Sequence, residues 1–412
     1  MPNPATAIFR QIKYKAESTY GTIPSPLSGS QAIRRVEFSP DLTKETYQSG
    51  ELRTDQQVAD FRHGARRAGG TLRGELSPKA YADFLACLLR KTWAATTALS
   101  GLSSTLAIDG AAPDYTLSGS GFLTGNTVKA GDVIRITAGS WNAANMNVNL
   151  LVRDVVSASS LKVTCLNGKT LVPEGPIAST TLSIVGKKTY VPTSGHADLS
   201  YTIESYFSDL AKSEMYTGMK PVSAALALPS TGMATIDLAF AGQNVTTYSS
   251  EQFTSPTAAP TYGVAAAVNG VLAVGGVGAV ARQTVVRDLS ININGNFGGS
   301  PVIGSNQVPF QFPGRVTVDG QFTAFFDSTT LRDAFLNETE LQLMAVLTAD
   351  NTDTADFVAF SLPRIKVGSA SKNDAQDGIV QTFSYTALLQ GSGGSGTKYD
   401  QTTIAIQDSQ AP

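Results

Sequence analysis

The residues most able to do chemistry in this 412-residue chain lie far apart, and each lacks the neighbours its chemistry would need. The run Gly391-Ser392-Gly393-Gly394-Ser395-Gly396-Thr397-Lys398 has the outer glycine spacing of a phosphate-binding loop. Such a loop needs Lys ahead of Ser or Thr, and a following helix whose first amides face the anion. Here the order is Thr-Lys and no helical pattern follows, so the run reads as a linker. Asp350, Asp353 and Asp356 suggest calcium, but the glycine and closing glutamate of a helix-loop-helix site are missing. They read as a solvated hairpin tip. His63 lies among arginines and His196 beside a glycine turn, neither with a Ser or Cys placed to use it as a base. Cys87 and Cys165 are too few for a disulfide framework and, with two histidines, for a closed zinc site. Both read as buried thiols. Asn244-Val245-Thr246 and Asn337-Glu338-Thr339 match glycosylation acceptors, which matter only in a secreted eukaryotic protein. The expectation is therefore no enzyme, no cofactor and no metal.

Arg62, Arg66 and Arg67 form the one basic cluster with two open readings. They could touch phosphates, or balance Glu51, Asp55 and Asp60 or an acidic surface on another subunit. No aromatic platform accompanies them, as single-stranded nucleic acid would require.

The elements that must hold these residues are mainly strands. Charged residues make up 16% of the chain and aromatics 8%, and Thr, Ser, Val, Ala and Gly are abundant, a composition typical of sheets. The net charge of −2 excludes an overtly basic nucleic-acid binder. Its distribution is uneven: residues 1–100 carry 14 Lys+Arg against 9 Asp+Glu, leaving 17 against 24 for the rest. A dipolar subunit suits head-to-tail contact. The first residues, MPNPATAIFRQIKYK, show no apolar signal core. Tyr262 to Ala281 has the length of a membrane span, but its AAAV-NG-VLAV pattern reads as a hairpin with a tight turn at Asn269-Gly270.

Residues 1–32 read as a polar arm, and Leu42 to Arg67 as an extended charged loop or splayed hairpin. Ser77 with Pro78 signals a helix start, followed by an apolar stripe at Tyr81, Phe84, Leu85, Leu88 and Leu89. Residues 100–193 change character, with short strands between turns at Gly131-Asp132 and Asn167-Gly168. They read as a small β-barrel or sandwich inserted at a loop tip. Residues 251–282 connect through the hairpin, and residues 391–412 read as a flexible tail.

The rest repeats itself. Gly70-Thr71-Leu72-Arg73-Gly74-Glu75-Leu76 is echoed by Val316-Thr317-Val318-Asp319-Gly320-Gln321-Phe322, each copy followed by a short helix, the second expected to be capped by Ser328. Pro221-Val222 with Gly232-Met233 is matched by Pro363-Arg364-Ile365 with Gly378-Ile379. Repeats set architecture before anything else. The fold class expected is mainly β, with one sandwich unit at 33–99 and 194–250 and a second at 283–390, each with a flanking short helix.

With those residues in view, the chain resembles the tail tube (major tail) proteins of long-tailed, non-contractile bacteriophages. The resemblance is carried by Glu17-Ser18-Thr19-Tyr20-Gly21-Thr22, Gly69 to Leu76, Tyr216 to Ser223, Gly314 to Phe322, Phe335 to Thr339 and Leu362-Pro363-Arg364. It covers residues of about 10–100 and 190–392. It implies β-sandwich units joined edge to edge into rings that stack into a hollow tube. The implied partners are further copies of the chain, a tape-measure protein, tail terminator and baseplate or tip proteins, and double-stranded DNA in transient, non-specific passage. The implied place is the virion tail, assembled in the host cytoplasm. Two units per chain suggest three chains in a ring of pseudo-sixfold symmetry. A conduit should not hold phosphate, so the lumen is expected to be acidic or neutral, lined by residues such as Glu75, Asp237, Asp319 and Gln321. Glu51, Asp55, Arg62, Arg66 and Arg67 are expected away from it, in a loop that contacts the adjacent ring. The alternative is a surface adhesin or glycan-binding β-protein, with the inserted domain as its carrier.

Overall fold

Alternation of apolar and polar residues puts most of the chain into antiparallel strands, seen in a computed structural model that describes residues 4–123, 128–375 and 378–412. The first strands are β1 (Arg10–Ala16), β2 (Gln31–Ala32), β3 (Glu37–Gln48) and β4 (Phe61–Glu75), followed by helix α1 (Ala82–Leu89) and β5 (Ala94–Ala95). Six strands then close a barrel: β6 (Leu99–Ile108), β7 (Asp114–Ser118), β8 (Val133–Ala138), β9 (Leu150–Ser157), β10 (Ser160–Cys165) and β11 (Glu174–Ile184). The chain returns through β12 (Lys187–Tyr190), β13 (Tyr201–Phe207), β14 (Lys212–Leu228), β15 (Thr235–Gly242) and β16 (Asn244–Tyr248). The second half holds β17 (Gly270–Gly276), β18 (Ala279–Gln283), β19 (Val286–Asn294) and β20 (Thr317–Phe325). After α2 (Thr330–Leu336) come β21 (Leu341–Thr348), β22 (Phe357–Ala375), β23 (Gly378–Ala387) and β24 (Ala405–Asp408).

Eight of these strands form one wall in the order β3-β4-β15-β14-β19-β20-β23-β22, every neighbour antiparallel. The order is the same four-strand unit twice over, β3-β4-β15-β14 and then β19-β20-β23-β22. Their registers coincide: Arg73 stands opposite Glu37 and Asp237, and Asp319 opposite Asn292 and Thr386. Because side chains alternate across a strand, one face collects the apolar set. Phe38, Leu72, Leu238, Ala224, Ile293 and Val318 stand in one row there, all buried.

A second layer covers the apolar face of the first unit. β1, expected within a polar arm, instead pairs with β13, and β13 pairs with the first part of β14. Ile12 and Tyr14 drive this, because their burial needs a sheet position. Helix α1 packs within that layer, with the Tyr14 and Tyr201 rings 4.7 and 5.4 Å from Phe84. It begins at Ala82, later than the Ser77-Pro78 signal implied. Lys79 has a left-handed φ of 67°, which interrupts any helix before it, and the Ser77 hydroxyl instead accepts from Arg34 Nη1 at 3.1 Å. α2 likewise begins at Thr330 with no side-chain cap from Ser328. The Leu42–Arg67 stretch is a hairpin of β3 and β4, paired from Glu37 with Arg73 to Gln48 with Phe61.

The six-stranded barrel shares a core with the body. Its Val133, Leu151 and Val163 belong to one buried cluster with Met344, Val346 and Phe357 of β21 and β22. This corrects the picture of a graft on a loop tip, since removing the barrel would strip one side of β21. That strand is buried at every position, which is why Leu341 to Leu347 reads as a nearly continuous apolar run.

The last residues correct a second expectation. β24 inserts between β12 and β22, with Ile404 and Ile406 fully buried. Lys129 Nζ donates to the carbonyls of Gly394 and Thr397 at 2.6 and 2.7 Å, so the glycine run is a built loop. Buried Lys188 pairs with Asp132 and with Asp400, binding barrel, body and tail together. The two carboxylates raise its pKa against the burial that would lower it. In the connecting segment the hairpin turn falls at Val277-Gly278, with Gly278 at φ 83°, and Asn269 ends a short 3-10 turn instead.

Candidate functional site on the polar sheet face

The face of the wall opposite the core is polar in its central row on seven of the eight strands, with Ala225 of β14 the exception. One row runs from edge to edge as Glu37, Arg73, Asp237, Ala225, Asn292, Asp319, Thr386 and Lys366. Each member stands directly opposite the next. The flanking rows carry Ser39 with Thr71, and Ser290, Gln321, Ser384 and Ser369. Short polar groups tie neighbouring strands: Ser39 to Thr71 at 2.9 Å, Asn292 Nδ2 to Asp319 Oδ1 at 3.1 Å, and Ser369 to Ser384 at 2.7 Å. Arg73 Nε lies 3.4 Å from Asp237 Oδ1, an open pair on a wet surface.

All four residues expected to line a lumen meet here. Glu75 lies opposite Thr235, Asp237 opposite Arg73, Asp319 beside Asn292 and Gln321 opposite Ser384. Strand parity adds Glu37, Asp41 and Asp288 as carboxylates, and Arg67, Arg73 and Lys366 as cations. The carboxylates are the more numerous, so the face is acidic. Gly74 and Gly320 hold matching places on the core side, where an added Cβ would collide with the hydroxyl oxygens of Tyr81 and Tyr385. The repeated glycine thus makes room for a tyrosine behind each unit.

The five residues expected in a contact loop do not form one site. Glu51 and Asp55 lie at the exposed tip of the β3–β4 hairpin, where Asp55 pairs with Arg53 at 2.9 Å. Arg62 is exposed and pairs with Asp60 at 2.9 Å. The Arg66 amide donates to the Asn306 carbonyl at 2.8 Å, tying the hairpin to the Gly298–Pro313 loop. Arg67 departs from expectation: its parity puts it on the same face as Thr71 and Arg73, because no register shift intervenes. The hairpin also exposes Tyr47, Leu52, Val58 and Phe61.

The remaining candidates disperse. His63 stacks edge-on against Phe61, with centroids 5.3 Å apart, and His196 lines an open groove with Arg90 and Arg315. Asp353 accepts from Lys169 Nζ at 2.7 Å, so that hairpin tip is braced on the barrel rather than merely solvated. Both thiols are buried, and burial pushes Cys165 up to about 11 and Cys87 up to about 12. Among the described residues no group of three or more His, Cys, Asp or Glu could hold a metal ion, and no helix is long and apolar enough to cross a membrane.

The alternation from Ile33 to Phe38 reads as the start of a strand, but nothing in the sequence marks which two strands end the wall. β3 has a partner only on the β4 side, and Lys366 to Asn373 of β22 only on the β23 side, among the described residues. No curated protein matches the chain. A sequence model of the phage tail tube proteins matches residues 10–387, nearly the whole chain, and the chain belongs to that family, a structural component of the virion tail that self-assembles into a tube.

Proposed function

We propose that three chains close into a ring through their free wall edges, with the polar face inward, and that stacked rings form the bore of the tail tube. Each chain supplies two four-strand units, so the ring has pseudo-sixfold symmetry and 3 × 8 wall strands. At about 4.8 Å between strands, those strands give a bore about 37 Å across with no tilt, and a wider one when tilted. Inward side chains remove about 10 Å of that width. The remainder accommodates a helical tape-measure protein, each helix about 10–12 Å across, and later the passing duplex. The ends of the tube would meet terminator and baseplate or tip proteins, with assembly in the host cytoplasm.

The observation that carries this reading is a continuous acidic and polar face bounded by two unpaired strand edges. An open edge invites pairing with another chain, and a ring uses that tendency while leaving no edge exposed. Duplex DNA carries about one negative charge per 1.7 Å of axis. A carboxylate-lined bore repels it and lets it slide through water during ejection. Cryo-electron microscopy of assembled tubes tests the ring directly. Three chains per ring with Asp319 and Gln321 facing the bore are expected, whereas six whole chains per ring or a basic bore would overturn the proposal.

A further inference from the structure

The wall contains a junction between its own two units, and that junction prescribes how one copy meets the next. β14 ends the first unit and β19 begins the second, with Ala224 opposite Ile293, Ala225 opposite Asn292 and Leu226 opposite Ile291. The coincident registers of the two units carry each of these residues to its counterpart. Ala224, Ala225 and Leu226 correspond to Ile365, Lys366 and Val367 through their partners on β15 and β23. Ile293 and Asn292 correspond to Phe38 and Glu37, where β3 begins, through β4 and β20. We infer that β22 of one copy pairs antiparallel with β3 of a second copy in this same register, setting Lys366 opposite Glu37 beside an Ile365–Phe38 pair.

Two further features fit that register. The charges are complementary, because the polar row begins with the carboxylate of Glu37 and ends with the ammonium of Lys366. Directly opposed opposite charges favour one register, and a slip of one residue would set Lys366 against Val36 or Phe38. Second, among the described residues Lys366 ion-pairs with the exposed Glu338, at 3.7 Å. The Phe38 carbonyl already accepts from Arg10 Nη1 at 2.7 Å, and its second lone pair stays open to an incoming strand.

The inference rests on the ring reading, so its test must separate the two. Opposed residues in an antiparallel pair lie within disulfide reach, and the native thiols are buried. Tubes of the variant carrying both Glu37→Cys and Lys366→Cys, oxidised with copper phenanthroline, should give a non-reducing ladder that stops at three chains. Stronger cross-linking when Lys366→Cys is combined with Arg35→Cys or Ser39→Cys instead would overturn the register while leaving the ring intact. Three-chain rings by microscopy with no cross-link in any of these pairs would overturn the edge assignment. A ladder continuing past three chains would keep the register and refute the three-chain ring. Charge reversal is the second arm: Lys366→Glu should lower tube yield at least tenfold, and adding Glu37→Lys should restore it. Equal yields from single and double reversals would remove the charge pair from the interface.

Discussion

The two units share a wall and differ in what stands behind it. α1 buries Phe84, Leu85, Cys87, Leu88 and Leu89 against β14 and β12, with Phe84 beside Tyr14 and Tyr201, whereas α2 buries only Ala334 and leaves Leu336 63% exposed. The second unit is backed by β21 and the first part of β22, and the barrel packs on the far side of that layer. Strand order and register agree in front, and a hairpin backs each unit, β13–β14 or β21–β22, so the units diverge in the helix and in the barrel beyond. The constraint therefore acts on the wall, where every unit must meet its neighbours in one register, and each back needs only enough apolar cover to hold that wall.

The comparison can be broken at its supports, starting with the strongest. Truncation after Gln390 would remove Ile404 and Ile406, unpair β12 and β22, and leave Lys188 with Asp132 as its only carboxylate partner. Losing two buried isoleucines and one arm of a buried ion cluster should cost at least about 5 kcal/mol in urea denaturation. A loss below about 1 kcal/mol would restore the tail to a passive role.

Phe84→Ala in the first unit should cost about 3–5 kcal/mol, because it opens a cavity among Tyr14, Tyr201 and Phe240. Leu336→Ala in the second should stay within about 0.5 kcal/mol. Equal losses by thermal denaturation would mean the two backs carry the same load.

A third test concerns acid. Burial raises the Asp408 carboxyl to about 6, despite hydrogen bonds from the amides of Lys79 and Gln410. A carboxyl with a raised folded pKa stabilises the fold fully below about 4 and loses that contribution as pH rises through 6. Going from pH 7 to 5, Asp408 alone should add about 1 kcal/mol. An NMR titration of its carboxyl carbon with a midpoint near 4 would refute this. The smallest effect belongs to the hairpin, where Arg62→Ala breaks only an exposed pair with Asp60 and should shift stability by less than about 0.5 kcal/mol. A larger shift in the free subunit would mean the hairpin is held by contacts within its own chain.

Much of the wall was legible because period-two alternation survives in both copies, and the echo of Gly74 in Gly320 aligns them. The four candidate bore residues share a face for the same reason, since parity along paired strands fixes which way each one points. What stayed hidden depends on long-range partners. Gly391 to Gly396 looks like linker by composition, yet Ile404 and Ile406 further on anchor it. Asn269-Gly270 is a favourable turn locally, but β17 pairs with β21 from Gly270 onward and pushes the turn to Gly278. Arg67 looked like part of an outward basic cluster, and only the pairing of β3 with β4 shows which face it takes.

The wall has an even number of strands, and they alternate in direction from β3 to β22. The first and last therefore run oppositely, and rotation about a central axis preserves that opposition, so copies can join without a parallel seam. A single added strand would break this parity and leave two like-directed edges facing each other. Lengthening such a chain is then confined to whole hairpins within the wall or to material placed behind it. The six-stranded barrel behind β21 is an addition of the second kind.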